Sequence, residues 1–393
     1  MEITKKIKEL TEKHKWLFIF GLLLPAFYTG AAEYLGPLYG LIFYTALWPV
    51  TIIVFILYFF VKKCKPSKLM IGFFILHLWM IIEQLRVPSF TLDNYGNIAR
   101  TFIIVALIEM YVKDDLKNLL MALMLIFEVT IYPDIISIIY NVWIMHCRVE
   151  STDMFLGYYN NVIVFLFPAI CVGMLYIKEG GNRIRGLFLC IMSVVCAVIS
   201  KASTPLGAMI GFIGISAFLY IIWKYLHFEY IRLWPLFILA IMFNIFIVFI
   251  YREGIFPLLD SFIINVLHRS TSFTGRVPIW NYAIDLIRKA PVLGYGYSPG
   301  IDLGHYVFPH SHNEYLNILL RFGAIGLILY FGFSFIYVRK IDDMPNSFCK
   351  IIFIGLIIGI QLAFVTDCVT RSYFYYVIYF LAYHFTGEIV KKA

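Results

Sequence analysis

Long apolar runs, each about the length needed to cross a bilayer, follow one another along almost the whole chain. A helix spanning the hydrocarbon core takes roughly 20 apolar residues. Only helices and closed barrels satisfy every backbone polar group in that medium. A barrel strand alternates apolar and polar residues, whereas these runs are continuous, so helices are predicted. Twelve spans fall near 16–35, 39–61, 69–88, 101–113, 118–136, 158–177, 186–200, 206–223, 234–251, 315–338, 351–368 and 373–388. Hydrophobic residues make up 61% of the 393 positions and charged residues 14%, against roughly 45–50% and 25% in a soluble domain. This balance excludes water-soluble, disordered, collagen-like and coiled-coil chains. The predicted class is all-α, a polytopic integral membrane protein of about 12 transmembrane helices. No internal repeat is evident, unlike transporters built from paired halves.

Charge orients the predicted bundle. With the N-terminus inside, the inner segments are 1–15, 62–68, 113–117, 178–185, 224–233, 339–350 and 389–393, and they hold 21 of the 32 Lys and Arg residues. That is the positive-inside bias, and it places both termini in the cytoplasm. The net charge of +8 is therefore a topological signal and no nucleic-acid footprint. Residues 1–15 read as a cytoplasmic interfacial segment, and the first span as an uncleaved helix rather than a signal peptide. The seven cysteines are scattered without CxxC spacing, which supports neither a zinc knuckle nor a disulfide framework. Most read as buried small hydrophobes; Cys147 and Cys368 share the predicted outer side, which leaves room for a bridge.

The organisation expected is thus 1–15 interfacial, 16–251 spans one to nine, 252–314 an extracytoplasmic loop, and 315–393 spans ten to twelve with the C-terminus. Loop 252–314 is much longer than the other outer connections, and long ordered loops tend to carry function. Within it, Thr274 or Ser272 is placed to cap a helix presenting Trp280, Ala283, Ile284 and Ile287 on one face. Arg276 falls in the first turn, where a cation opposes the helix dipole. An anion held with free backbone N–H groups explains such an arginine; a solvated loop arginine is the plain alternative. Pro291, Gly294, Gly296, Pro299 and Gly300 read as a tight turn after that helix.

His310, Ser311, His312 and Asn313 directly precede span ten. A histidine at such a junction suits general-base work because its pKa lies near working pH; a capping or packing histidine is the alternative. A metal reading draws on His305, His310, His312 and Asp302, but their spacing fits no zinc pattern. Ser200, Lys201, Ser203, Thr204 and Pro205 interrupt the apolar run between spans seven and eight. A lysine there must face a polar cavity or snorkel to the interface. Asn160 and Asn161 open span six, lining a cleft or forming an interfacial turn. Arg321, inside span ten, needs a partner, with Glu314 and Asp367 as candidates.

Taken in order, Gly275-Arg276, Ile279-Trp280, the Pro291, Gly294, Gly296 turn, His312-Asn313 with Leu316, and Gly323 with Gly326-Leu327 resemble the O-antigen polymerase and O-antigen ligase superfamily of bacterial membrane glycosyltransferases. Lys201 with Ser203 to Gly207 is similar to that family's Ser-Arg motif, and Gly157 with Asn160 and Asn161 to its Gly/Asn element. The resemblance covers roughly residues 150–330, and the layout, one large outer loop near the C-terminal third, matches as well. Two departures stand out. Lys201 occupies the place of an arginine and lacks its bidentate fork. Two histidines compete for one role, and His312, directly before Asn313, fits the pattern better than His310.

The resemblance implies a GT-C-like enzyme of the bacterial cytoplasmic membrane with its active site on the outer face. It implies transfer of a glycan from undecaprenyl diphosphate to an acceptor hydroxyl by inversion, without metal or cofactor. Arg276 and Lys201 would neutralise the diphosphate leaving group, His312 would be the base, and His310, Asn313 and Asn161 would support them. Tyr295, Tyr297, Trp280 and Tyr306 offer rings for sugars, although interfacial aromatics are common in any membrane protein. A polymerase of lipid-linked repeat units is the first reading, with membrane lipid and a chain-length regulator protein as partners and no nucleic acid. A ligase passing finished glycan to a lipid or protein acceptor is the alternative, and a flippase for lipid-linked sugars the more distant one.

Overall fold

In a computed structural model, the described residues are 14–29, 36–86, 92–147, 154–252, 276–296, 301–302, 307–308, 310–368 and 372–388. They form thirteen helices: α1 Lys15–Leu23, α2 Pro37–Val61, α3 Lys68–Arg86, α4 Leu92–Tyr111, α5 Leu116–Ile144, α6 Ile163–Lys178, α7 Arg183–Ile199, α8 Ser203–Tyr225, α9 Leu233–Arg252, α10 Arg276–Lys289, α11 Glu314–Asp342, α12 Phe348–Thr366 and α13 Tyr376–Glu388. A helix lies at each of the twelve apolar stretches, and α10 is the extra one expected in the long loop. Seven of the described helices, α2, α3, α5, α8, α9, α11 and α12, are long and apolar enough to cross a membrane; α1 and α6 are shorter apolar helices. The chain is a multi-pass, all-α membrane protein. A two-residue antiparallel ladder pairs Ile301 with Phe308 and Asp302 with Val307 within the loop.

Burial separates a centre from a rim. The apolar window of α12 is 78% buried and that of α2 only 17%, so α12 is the core of the bundle and α2 faces its surroundings. α12 packs on α8, α9 and α11, while α11 runs along α3. The exposed Ile52, Phe60, Ile71, Ile210 and Phe246 would be a liability in water and are the natural surface of a helix in lipid. Several buried charged groups are paired, as a low-dielectric interior favours. On Glu109, for instance, Tyr58, Ser67 and His384 converge, the last at 3.2 Å.

Span ten holds a break that its apolar pattern hides. Gly323, inside α11, has φ 64° and ψ −169°, a conformation open only to glycine at low cost. The break frees carbonyls that a helix would otherwise use. The turn after α10 takes them up: Tyr295 N–H donates to Leu320 O (2.9 Å) and Gly296 N–H to Arg321 O (2.7 Å). In return Ala324 N–H donates to Pro291 O at 2.8 Å. From α3, Trp79 Nε1 donates to Phe322 O at 3.0 Å. Arg86, paired with Glu83 at 2.7 Å, donates to Gly294 O at 2.5 Å. The turn after α10 is thereby held on α11 by backbone bonds and on α3 by the Arg86 side chain.

All seven cysteines are free thiols; Cys368 is buried against Ser311 and Asn313, so no Cys147–Cys368 bridge forms. Residues 1–13 and 389–393 lie outside the described residues, so the interfacial segment and the final cytoplasmic stretch do too. The caps Thr274 and Ser272, and His305, Tyr297, Tyr306, Pro299 and Gly300, also lie outside them.

Candidate functional site around Arg276 and His312

Helix α10 begins at Arg276 and carries Pro278 in its first turn, where the missing N–H costs no helical bond. Ile279, Trp280 and Ala283 are buried. Trp280 packs against Ile247 and Val248 of α9 and Val365 of α12; Ile279 and Ala283 pack on Leu320 of α11, with Tyr295 beside them. The expected apolar face is therefore real, with Ile284 and Ile287 at its partly buried edges. Its seating turns Arg276, at the N-terminal end, toward the top of α12. Burial pushes the guanidinium pKa below its ordinary value, and the Asp367 carboxylate pulls it back, as do the nearby Tyr158 and Tyr159.

His310 and His312 sit on the short segment leading into α11. Their rings are 4.4 Å apart at 69°, and the His312 N–H donates to His310 Nδ1 at 3.3 Å. His312 has φ 51°, a left-handed backbone uncommon for a residue other than glycine. Its Nδ1 lies 3.6 Å from Asp367 Oδ1, while Asp367 is 5% exposed. Burial drives the pKa of His310 down to about 4, with His312, Arg321 and Arg276 adding to the fall and Asp367 opposing it. His310 is therefore a neutral imidazole at pH 7. Burial also raises the Cys368 thiol well above its usual range, so it is no thiolate.

Asn313 is the anchor of this segment and is fully buried. Its Oδ1 accepts from Leu316 N–H (3.1 Å), capping α11. Its Nδ2 donates to Asn244 Oδ1 on α9 (2.7 Å) and to Val365 O on α12 (3.4 Å). Its own N–H meets Cys368 Sγ at 3.1 Å. Asn313 thereby ties the histidine segment to α9, α11 and α12.

Arg276, His310 and His312 come together, and Asp367 joins them, named in the sequence only as a partner for Arg321. Arg321 stands two residues before the break in α11, and its charge is felt at both His310 and Cys368. Lys201 is placed differently. Its exposed side chain lies over the Trp143 ring, 4.2 Å from the centroid, and its backbone is left-handed (φ 54°). The same segment still reaches the site, because the Thr204 and Thr366 hydroxyls meet at 2.9 Å, next to Asp367. Asn161 lies in the 3-10 turn Tyr159–Val162; its side chain is outside the described residues. Tyr158 and Tyr159, shortly before it, carry no motif of their own in the sequence, and only the fold brings them to Arg276.

A divalent cation has one candidate seat among the described residues. One ligand atom each from His310, His312 and Asp367 lie within 4.8 Å of one another. Two histidines and a carboxylate suit zinc, which binds at about 2.0–2.2 Å, but the Arg276 cation beside them opposes a second positive charge. The Asp302 and His305 side chains lie outside the described residues.

Residues 188–331 match the family model described as O-antigen ligase. That stretch contains Lys201, Arg276, His310, His312, Asn313 and the Gly323 break in one order. Over that stretch the chain is similar to the O-antigen ligase and polymerase superfamily. Its relatives include Rickettsia proteins named "Putative polysaccharide ligase". The one from Rickettsia conorii is 24% identical over 225 residues, covering 52% of this chain and 51% of that protein. The one from Rickettsia felis is 29% identical over 90 residues, 19% of this chain and 22% of the other. The chain thus spans about half the length of the first relative. The family match stops before α12, so Asp367 joins the site through the fold alone.

Proposed function

We propose that this chain is a glycosyltransferase that joins undecaprenyl-diphosphate-linked repeat units into a surface polysaccharide, without metal, at the outer face of the bacterial cytoplasmic membrane. The observation that carries the reading is the convergence of a desolvated cation, Arg276, with a histidine facing a buried carboxylate, His312 and Asp367. A lipid diphosphate is already a good leaving group and needs its charge neutralised, which Arg276 does best in a water-poor site. Asp367 near Nδ1 holds the His312 proton on that nitrogen and leaves Nε2 with a lone pair. Nε2 takes the acceptor hydroxyl proton, the oxygen bonds to the anomeric carbon from the far side, and the sugar–phosphate bond breaks, releasing the lipid diphosphate with inversion. Lys201 supplies a second cation at the rim, and both termini lie in the cytoplasm.

The ligase alternative draws on the names of the family and of the Rickettsia relatives. The two differ only in the acceptor. The test is reconstitution of purified protein with the lipid-linked repeat unit and chelator, with products sized on a gel. A ladder establishes the polymerase. Transfer only after a lipid or protein acceptor is added establishes the ligase. Silence in both overturns glycosyl transfer and returns the flippase reading, and a requirement for a chain-length regulator protein appears as a change in ladder length.

A further inference from the structure

Asp134 lies in the middle of α5 and is fully buried. An ionisable residue inside a membrane-spanning helix is costly and marks a functional position by default. What Asp134 holds is a stretch of backbone. Its Oδ1 accepts the Leu156 N–H at 2.8 Å, and its Oδ2 accepts from the Cys196 thiol at 3.4 Å. One turn along α5, Ser137 Oγ accepts the Phe155 N–H at 2.9 Å. Met154 and Gly157 then exchange two backbone bonds, 3.0 and 2.7 Å, around a left-handed Gly157. The turn 154–157 is thus pinned to α5 from beneath, and the chain leaves it directly into Tyr158 and Tyr159.

Those two rings lie 4.5 Å apart, tilted at 55°, and Tyr158 stays 41% exposed. The turn Tyr159–Val162 packs against α8, whose Thr204 hydroxyl meets that of Thr366, next to Asp367, at 2.9 Å, and both tyrosines act on the Arg276 charge. An exposed aromatic pair beside a desolvated cation is the complement of a sugar joined to a phosphate: the ring faces meet the apolar C–H face of the sugar, and the hydroxyls meet its polar edge. We propose that Tyr158 and Tyr159 form the subsite for the donor sugar ring nearest the diphosphate, and that Asp134 is the positioning residue that sets them there. This rests on the reading of Arg276 as the diphosphate site.

The test uses the purified full chain and two probes, bare undecaprenyl diphosphate and the same lipid carrying the repeat unit, each titrated to give a Kd. In the parent protein the glycan is expected to tighten binding, and equal affinity for the two probes overturns the subsite. Tyr158→Ala is expected to weaken the glycosylated probe by about tenfold and leave the bare one unchanged, while Tyr158→Phe keeps the preference. Asp134→Leu is expected to lose the preference, and Asp134→Asn to keep it, because its amide oxygen still accepts the Leu156 N–H. Equal weakening of both probes by Tyr158→Ala, or an undiminished preference in it, overturns the subsite. An undiminished preference in Asp134→Leu overturns the positioning role. Failure of the parent protein to bind either probe overturns the diphosphate reading itself.

Discussion

Gly294 and Gly323 face each other across a backbone contact that leaves no room for a side chain on either. A Cβ on Gly323 would stand 2.1 Å from Val292 O, and one on Gly294 2.7 Å from the Arg321 carbonyl. Both have positive φ, 77° and 64°. Alanine at either position therefore meets backbone atoms and a strained conformation together, a cost on the order of 3 kcal/mol. Gly323→Ala and Gly294→Ala are expected to lower the thermal midpoint in detergent by several degrees. Gly332→Ala, with open space around its Cβ, should leave it unchanged.

Arg276→Ala and His312→Ala are each expected to cut transfer at least about 100-fold while the protein still inserts and purifies. His310→Ala should be milder than His312→Ala, because His310 Nδ1 is engaged by a backbone N–H. Rates of glycan transfer by the reconstituted protein decide the order, and the reverse order would move the base to His310.

Asp367→Asn keeps the shape of the side chain but removes the carboxylate that faces His312 Nδ1. Transfer is expected to fall by roughly 100-fold, through kcat far more than KM, since the tautomer rather than the binding surface is lost. A change confined to KM would show that Asp367 binds substrate instead.

Acid sensitivity follows from His310. Its pKa falls from 6.5 toward about 4 on folding, so the folded state disfavours its protonation. The resulting stability is complete above pH 6.5 and is lost as pH falls toward 4. Thermal midpoints measured from pH 7 to pH 4 should drop in the parent protein, and less so in His310→Asn, with the two curves meeting above pH 6.5.

Lys201→Arg is expected to keep transfer, and Lys201→Ala to reduce it modestly, by roughly tenfold or less, because an exposed cation over an aromatic ring contributes little on its own. If Lys201→Ala transfers at the parent rate, the lysine only anchors the segment on Trp143.

Helix positions were legible because burial in a membrane imprints itself on every residue of a run. The stretch 39–61 became Pro37–Val61, and 315–338 sits inside Glu314–Asp342. The face of α10 was legible for the same reason, through the spacing of Trp280, Ala283 and Ile287. The break at Gly323 was not, since a glycine in an apolar run looks the same whether the helix bends or continues. Nor was the pairing of His312 with Asp367, or of Lys201 with Trp143. These link separate helices, and no period within either segment encodes which polar residue another element will present. Tyr158 and Tyr159 were hidden by abundance, in a chain where aromatic residues make up 18%.

The site draws on Arg276, then His312, then Asp367, in that order along the chain, and its floor at Gly294 cannot close until α11 is there to meet it. During synthesis the loop helix emerges first, with neither its docking surface nor its carboxylate yet made. A nascent chain is accordingly without an assembled site until the ribosome has passed α12, so the constellation waits for the bundle that contains it.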